Sequence, residues 1–293
     1  MRYQFVKENR SSFPVVKMCQ TLNICSSGFY HWLKAPLSPR KQENQLIKKR
    51  ISTLYEEHKG KAGSPMIAAD LRSEPQFATV SKNRVARHMR EMGLRCRTTR
   101  KFVVTTDSKH DEPVADNILN RQFSVAAPNT VWVSDITYLK AGGKWHYLTV
   151  FIDLFSRIIV GWDLSDSLDR HSMMYAFNKA LWRRRPGAGL LVHSDRGVQY
   201  ASADFRLLLE KTSCIQSMSR KGNCWDNAVA ESFFHTLKTQ LTHHERFRDK
   251  NEAELALFNY IEAYYNRRRR HSSIGYRTPA EFEQNVDGLQ GVA

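Results

Sequence analysis

The chain has 293 residues, enough for a buried core and for more than one domain. Its apolar (41%) and charged (25%) fractions are ordinary globular values, and the longest apolar stretch, residues 147–155, is too short to span a bilayer, so a soluble protein is expected. A net charge of +16 in such a chain favours a polyanionic partner, nucleic acid first.

The charge is concentrated at the front: residues 1–128 carry 23 Lys+Arg against 11 Asp+Glu, residues 129–293 carry 22 against 18. Residues 1–10 are charged throughout and no apolar core follows, so no secretory signal is read and a cytoplasmic chain is expected. Five scattered cysteines without CxxC pairs read as reduced thiols rather than a structural metal site.

In chain order, residues 15–22 and 27–34 read as two short helices with Ser26 or Ser27 as cap, a helix-turn-helix outline closed by a break at 36–39. Residues 44–58 predict an amphipathic helix with Leu46, Ile47, Ile51 and Leu54 on one stripe, followed by a short helix at 66–73. A helix at 81–92 opens on a serine cap and stops at Gly93. Lys82, Arg84, Arg87 and Arg90 decorate it while Val85, Met89 and Met92 face inward, the pattern of a helix that enters a major groove; a solvated basic face is the alternative. Residues 95–128 lack periodicity and read as a linker able to track a DNA backbone.

The register then changes. Runs at 131–139, 146–155 and 158–164 predict an antiparallel meander; a helix at 171–184, a strand from 190 running up to Asp195, a helix at 202–211 and a strand at 215–218 follow. Long helices at 225–241 and 252–266, the run Arg267, Arg268, Arg269 and Arg270, and a turn-rich close complete the chain. The arginine run is expected at the surface. The resulting division is a helical segment at 1–38, a helix-turn-helix module at 39–98, a linker at 99–128, an α/β core at 129–245 and a basic helical extension at 246–293.

Three carboxylates stand out by position: Asp135 within the first strand, Asp195 directly after an apolar strand and Glu231 on a helix. An aspartate among Val131, Trp132, Val133, Ile136 and Tyr138 is costly to bury unless it is paired or binds a cation. Hard divalent ions take oxygen ligands, and a pair of them stabilises the attacking and leaving oxygens of a phosphodiester. Asp153, Asp163 and Asp226 compete in the same region, so position alone leaves the choice open.

The blocks Val131-Trp-Val-Ser-Asp135-Ile-Thr-Tyr, His193-Ser-Asp195-Arg-Gly-Val-Gln-Tyr200 and Ser219-Arg-Lys-Gly-Asn-Cys-Trp-Asp-Asn-Ala-Val-Ala-Glu231-Ser-Phe-Phe resemble the integrase-like transposases of bacterial insertion sequences, specifically the second-reading-frame product of the insertion-sequence-three family. Asp195 and Glu231 are separated by 35 residues, the spacing of the D,D(35)E group. The segment from Tyr264-Tyr-Asn266-Arg through His271, Gly275-Tyr, Thr278-Pro279 and Phe282 is similar to the family's C-terminal signature, so the resemblance covers nearly the whole chain.

It implies a ribonuclease-H-like core, a mixed five-stranded sheet with flanking helices preceded by small helix-turn-helix modules. It also implies a transposase that binds inverted-repeat ends and performs 3′-end cleavage and strand transfer, with two Mg²⁺ ions (Mn²⁺ as substitute) at Asp135, Asp195 and Glu231. In such families the active form is a frameshift fusion with the upstream-frame product, and pairing two DNA ends requires at least two protomers. Lys238, two helical turns beyond Glu231, is read as holding DNA, with a solvated lysine as the alternative. His193 is read as orienting a ligand or packing in the core. Asn223, Trp225, Asp226 and Asn227 are read as positioning residues that cap a helix start. The arginine run with Tyr264 and Tyr265 is read as a phosphate and base contact, or as packing of the last helix. The rival readings are a DNA-binding regulator with an inert core, and a ribonuclease-H-type nuclease or junction resolvase without strand transfer.

Overall fold

The structure, a computed structural model, describes residues 1–34, 38–96 and 113–290. It divides into two compact units, Met1–Thr53 and Leu54–Ala293, the boundary falling inside helix α4 (Pro39–Glu57).

In the first unit α1 (Arg2–Asn9), α2 (Val15–Thr21) and α3 (Ser26–Lys34) share a small core of Val6, Met18, Cys19 and Phe29, with Tyr3 and Trp32 packed against it. The helix α1 was not legible because its charged residues leave only Val6 buried. Along α4 the apolar stripe is narrower than predicted: Ile47, Ile51 and Leu54 are buried, whereas Leu46 is exposed, because a neighbour one residue away is rotated by about 100°.

In the second unit α5 (Ser64–Arg72) buries Ile67, Ala68 and Leu71. The Ser81 side chain accepts from the Arg84 amide at 3.2 Å and starts α6 (Lys82–Glu91), which buries Val85, His88 and Met89 and ends before Gly93 at φ +70°.

The centre of this unit is a five-stranded sheet of β1 (Val131–Ala141), β2 (Lys144–Asp153), β3 (Ile159–Ser165), β4 (Leu191–Ser194) and β5 (Ile215–Met218), in the order β3-β2-β1-β4-β5. The first three strands form the predicted antiparallel meander, and β4 and β5 run parallel to β1. Gly142 and Gly143, both at positive φ, make the two-residue hairpin between β1 and β2.

Alternation along the strands sends Val131, Val133 and Leu139 to one face, with α10 (Ala228–Leu237) and α11 (Lys250–Phe258). Trp132 and Phe151 go to the other, with α7 (Arg170–Arg184), α8 (Val198–Ala201) and α9 (Ala203–Lys211). A mixed sheet of this order with helices on both faces is the ribonuclease-H-like arrangement.

Three expectations are corrected. The described part of the expected linker is packed, not free: the Ile118 and Leu119 amides both donate to Ser217 Oγ on β5 (2.9 and 3.2 Å), and Leu119 is in the core; residues 99–112 lie outside the described residues. The helix predicted at 225–241 is a short 3₁₀ turn at Cys224–Asn227, then α10, then a π-helical turn at Lys238–Thr242; α11 likewise passes into a π turn at Asn259–Tyr265. The turn-rich close contains a further helix, α12 (Pro279–Gln290), started by a reciprocal cap in which the Glu281 amide donates to Thr278 Oγ1 (3.1 Å) and the Thr278 amide to Glu281 Oε2 (2.9 Å).

The meander and α7 are in close contact at Gly161, where an added Cβ would overlap the Ala176 carbonyl oxygen and lie 2.7 Å from Ala180 Cβ. Gly161→Ala is therefore expected to destabilise the fold by roughly 1–3 kcal/mol through overpacking. A urea unfolding midpoint equal to that of the wild type would contradict this close approach.

Candidate active site

The placement of the first two carboxylates follows from strand register. Parallel β1 and β4 pair at Val131–Leu191, Trp132–Val192 and Val133–His193. Asp135, two residues beyond the last of these pairs, shares the face of Val131 and Val133 by the period of two, and Asp195 directly follows the last residue of β4, its charge acting on Asp135. That face is covered by α10, which carries Glu231 on its first turn.

All three acids are partly open to solvent. Asp135 Oδ1 accepts from the Ile136 amide (2.8 Å) and Asp195 Oδ1 from the Gly197 amide (2.9 Å). Burial raises the Asp135 pKa well above the usual carboxylate range. Repulsion from Asp195 adds to this and Glu231 adds less, against the opposing pull of the Ile136 amide and Lys238. Burial and Asp195 also push Glu231 up. Burial lowers the Lys238 pKa, and the charge of Asp135 opposes this.

Among the described residues, no three His, Cys, Asp or Glu side chains converge closely enough to hold one ion. What the cluster has is hard oxygen donors whose negative charges destabilise each other, and a divalent cation bound there would relieve that repulsion. By this donor chemistry the residues fit Mg²⁺ or Mn²⁺.

Two supports were missed as individual residues, although both stand in the quoted blocks. Tyr200 is fully buried, its hydroxyl 2.7 Å from Ser134 Oγ. Burial and then the charges of Asp135 and Asp195 push its pKa up, which keeps it a neutral phenol against the acids. Ser134 also donates to the Val150 carbonyl (2.8 Å), which fixes β1 beside Asp135.

His193 is completely buried between Ser217 Oγ (2.9 Å) and Ser219 Oγ (3.2 Å), and burial pushes its pKa down to about 4. It is a neutral hydrogen-bonding link between β4 and the β5 strand end.

Asn223 and Asn227 occupy the N-cap positions of the 3₁₀ turn and of α10, but their side chains bond elsewhere. Asn223 and Asn227 make no side-chain cap bond; Asn227 Nδ2 instead donates to the Ser134 carbonyl (3.1 Å), and Asn223 Oδ1 accepts from Arg121 (2.8 Å). Trp225 is 69% exposed. Asp226 is fully buried and receives Arg121 (2.7 Å), Arg220 (2.8 Å) and Asn117 Nδ2 (2.9 Å). Arg220 above all holds its carboxyl well below the usual range. Two of these partners, Asn117 and Arg121, come from the segment read as linker. The competing Asp153 is buried among the Asn129 and Phe155 amides and pushed up to about 6 by burial, a structural acid on the far end of β2.

On α6, Lys82, Arg87 and Arg90 are exposed and Arg84 half-buried. The arginine run is mixed. Arg267 and Arg268 are exposed, but Arg270 is withdrawn into pairs with Asp70 and, at 3.7 Å, Glu281, and Arg269 lies over the Tyr265 ring at 5.6 Å. Asp70 also binds His58 at 2.9 Å, so Arg270 is a tie to α5. Tyr265 is buried in the core and Tyr264 half-buried beneath the Lys61 ammonium, which favours their packing role.

Two family profiles, each described as Integrase core domain, match residues 125–224 and 212–279, and one described as HTH-like domain matches residues 41–102. The chain is 38% identical over 285 residues to the transposase InsF for insertion sequence IS3A of Escherichia coli (strain K12), covering 97% of this chain and 98% of the relative. It is 40% identical over 267 residues to an uncharacterized 31 kDa protein of insertion element IS600 of Shigella sonnei (91% and 97%). Solved structures with similarity include the HTLV-2 integrase catalytic core domain in complex with magnesium (17% identity, 54% of this chain, 97% of that one, TM-score 0.42). Another is the simian T-cell lymphotropic virus intasome in complex with PP2A regulatory subunit B56 gamma (15%, 80% and 74%, TM-score 0.47).

Asp226→Asn is expected to cost about 1–3 kcal/mol of stability by weakening two charge-assisted pairs. Because the folded-state pKa is depressed, the wild-type advantage is present above the ordinary aspartate value near ~4 and is lost as pH falls through the lower folded value. Unfolding midpoints compared across pH check this; equal midpoints at neutral pH would contradict it.

Proposed function

This chain belongs to the IS3 family of insertion-sequence transposases, DNA-transposing polynucleotidyl transferases with an integrase core, and on that premise we propose its reaction in detail. It cleaves the 3′ ends of its element at the inverted repeats and joins the freed 3′-hydroxyls to target DNA. What supports the reading is that Asp135 and Asp195 follow the last paired residues of β1 and β4 and that Asp135, Asp195 and Glu231 act on one another electrostatically.

Asp135, Asp195 and Glu231 would hold two divalent ions, Mg²⁺ by preference. When bound, these supply positive charge to the attacking and leaving oxygens of the phosphodiester. Lys238 holds the DNA phosphate beside the acids, as its electrostatic interaction with Asp135 supports. Tyr200 and Asn227 hold β1 at Ser134 and so help set the direction of Asp135 beside it. The nucleophiles are water and a DNA hydroxyl, so no protein side chain forms a covalent intermediate.

Lys82, Arg84, Arg87 and Arg90 on α6 read the inverted repeats, and Arg267 and Arg268 contact phosphate; Arg269 and Arg270 are left to structural contacts. The five-part division at 1–38, 39–98, 99–128, 129–245 and 246–293 is kept as the assignment of roles, with the stretch from 113 joined to the core. Pairing two ends calls for at least two protomers, and the upstream-frame product or its fusion is the natural partner.

Labelled inverted-repeat DNA incubated with Mg²⁺ and the upstream-frame fusion is expected to give 3′-end cleavage and joining. Glu231→Gln should lower these products by about 100-fold or more, the order lost with one transition-state charge stabiliser, while DNA binding persists. Chelating the metal should stop both steps in the wild type. Full activity in Glu231→Gln or in chelator would overturn the proposal. Arg87→Ala is expected to reduce the slope of log affinity against log salt by about one if Arg87 meets a phosphate; an unchanged slope would remove it from the interface.

A further inference from the structure

Among the described residues no strand pairs with the β4 side of β1 beyond Val133, where Asn227 bonds the Ser134 carbonyl and Phe247 makes an isolated bridge to Ala141. A groove of about 1080 Å³ lies at this end of the hairpin. That is at or above the roughly 300–1,000 Å³ of pockets that enclose small organic molecules, and gives room for more than one planar ring.

Besides Phe247, which belongs to the core, three aromatic side chains line it, Tyr138 and Tyr147 with ring centroids 5.2 Å apart and Trp145 at 6.3 Å from Tyr138. None belongs to either core cluster of the sheet, and Trp145 is 58% exposed. The cations Lys140, Arg246 and Lys238 line the same groove and outnumber its acid, Glu245; Lys140 Nζ lies 5.9 Å from the Trp145 ring centroid. Aromatic faces interleaved with cations suit unpaired nucleotides, whose bases stack while their phosphates are neutralised. Packing alone does not account for an exposed tryptophan beside lysine at the tip of a hairpin.

The groove runs over the edge of β1: Lys238, two helical turns from Glu231, and Phe247 line it with Leu139 from the face of Asp135, and Tyr138, Trp145 and Tyr147 line it from the opposite face. A strand whose phosphate sits at the acids would reach these aromatic rings by crossing that edge. In the proposed reaction the first strand to be there is the element end.

We infer that the groove lined by Tyr138, Trp145 and Tyr147 binds unpaired bases of the cleaved element-end strand next to the scissile phosphodiester. The site rests on the proposed cleavage reaction for its occupant, and it predicts that the protein favours ends whose terminal pairs are opened over fully paired ends.

The test uses the full chain with its upstream-frame fusion and an element-end duplex whose nucleotides beside the cleavage position are mismatched, one of them 2-aminopurine. Binding is read by fluorescence in Ca²⁺, without turnover; cleavage is read separately in Mg²⁺. Wild type is expected to quench the 2-aminopurine and to bind the opened end about tenfold more tightly than the paired end. Trp145→Ala should lose both the quenching and the preference, and Trp145→Phe, which keeps a ring, should retain most of the preference. Equal quenching and equal preference in wild type and Trp145→Ala would overturn the site. So would quenching confined to a 2-aminopurine placed in target DNA. Failure of wild-type cleavage with the binding preference intact would count against the reaction and leave this site standing.

Discussion

Two carboxylates held side by side at the end of a parallel strand pair repel each other, and the second unit of this protein is arranged around keeping them there. The register of β4 on β1 sets the distance of Asp135 and Asp195 from a common pair, Val133 and His193. A slip of one residue in either strand would turn one acid to the opposite face of the sheet. Burial first, and then repulsion from Asp195, raises the Asp135 pKa, and the fold has to supply the stability that offsets this.

That stability comes from apolar layers on both faces and from a polar girdle at the β4–β5 ends. His193 joins Ser217 and Ser219, and Ser217 in turn receives two amides from the 118–119 segment. Asp226 collects Arg121, Arg220 and Asn117, pinning the loop that leads into α10. Glu231 is thus placed by a buried ion cluster on one side and by Phe233, Phe234 and Leu237 in the core on the other. Position, rather than number of charged groups, separates Glu231 and Asp135 from Asp153, whose carboxylate is wholly taken up by backbone amides and Arg184.

Much of this was legible in the sequence, for identifiable reasons. The strands β1 to β3 announce themselves by β-branched and aromatic alternation, and α6 by its serine cap and closing glycine. What was not legible depends on contacts distant in sequence. The 113–125 stretch has no period because it is held by bonds to β5 and the Asp226 loop, not by its own repeat. Arg270 looks like a surface charge until α5 brings Asp70 to it. Asn227 sits where a cap belongs and instead bonds the Ser134 carbonyl 93 residues away. The missed α12 is different: Thr278-Pro-Ala-Glu281 is a readable capping box, overlooked because the glycine and proline around it suggested turns.

The central claim is that Asp135, Asp195 and Glu231 share a repulsion that a divalent cation relieves. Calorimetric titration of Mn²⁺ into wild type and Asp135→Asn at mildly acidic pH, in two buffers of different ionisation enthalpy, reads this directly. The account predicts that wild type binds Mn²⁺ and releases protons as the raised carboxyls ionise, and that Asp135→Asn loses both the binding and the release. Binding without proton release, or equal binding by the two proteins, would contradict it.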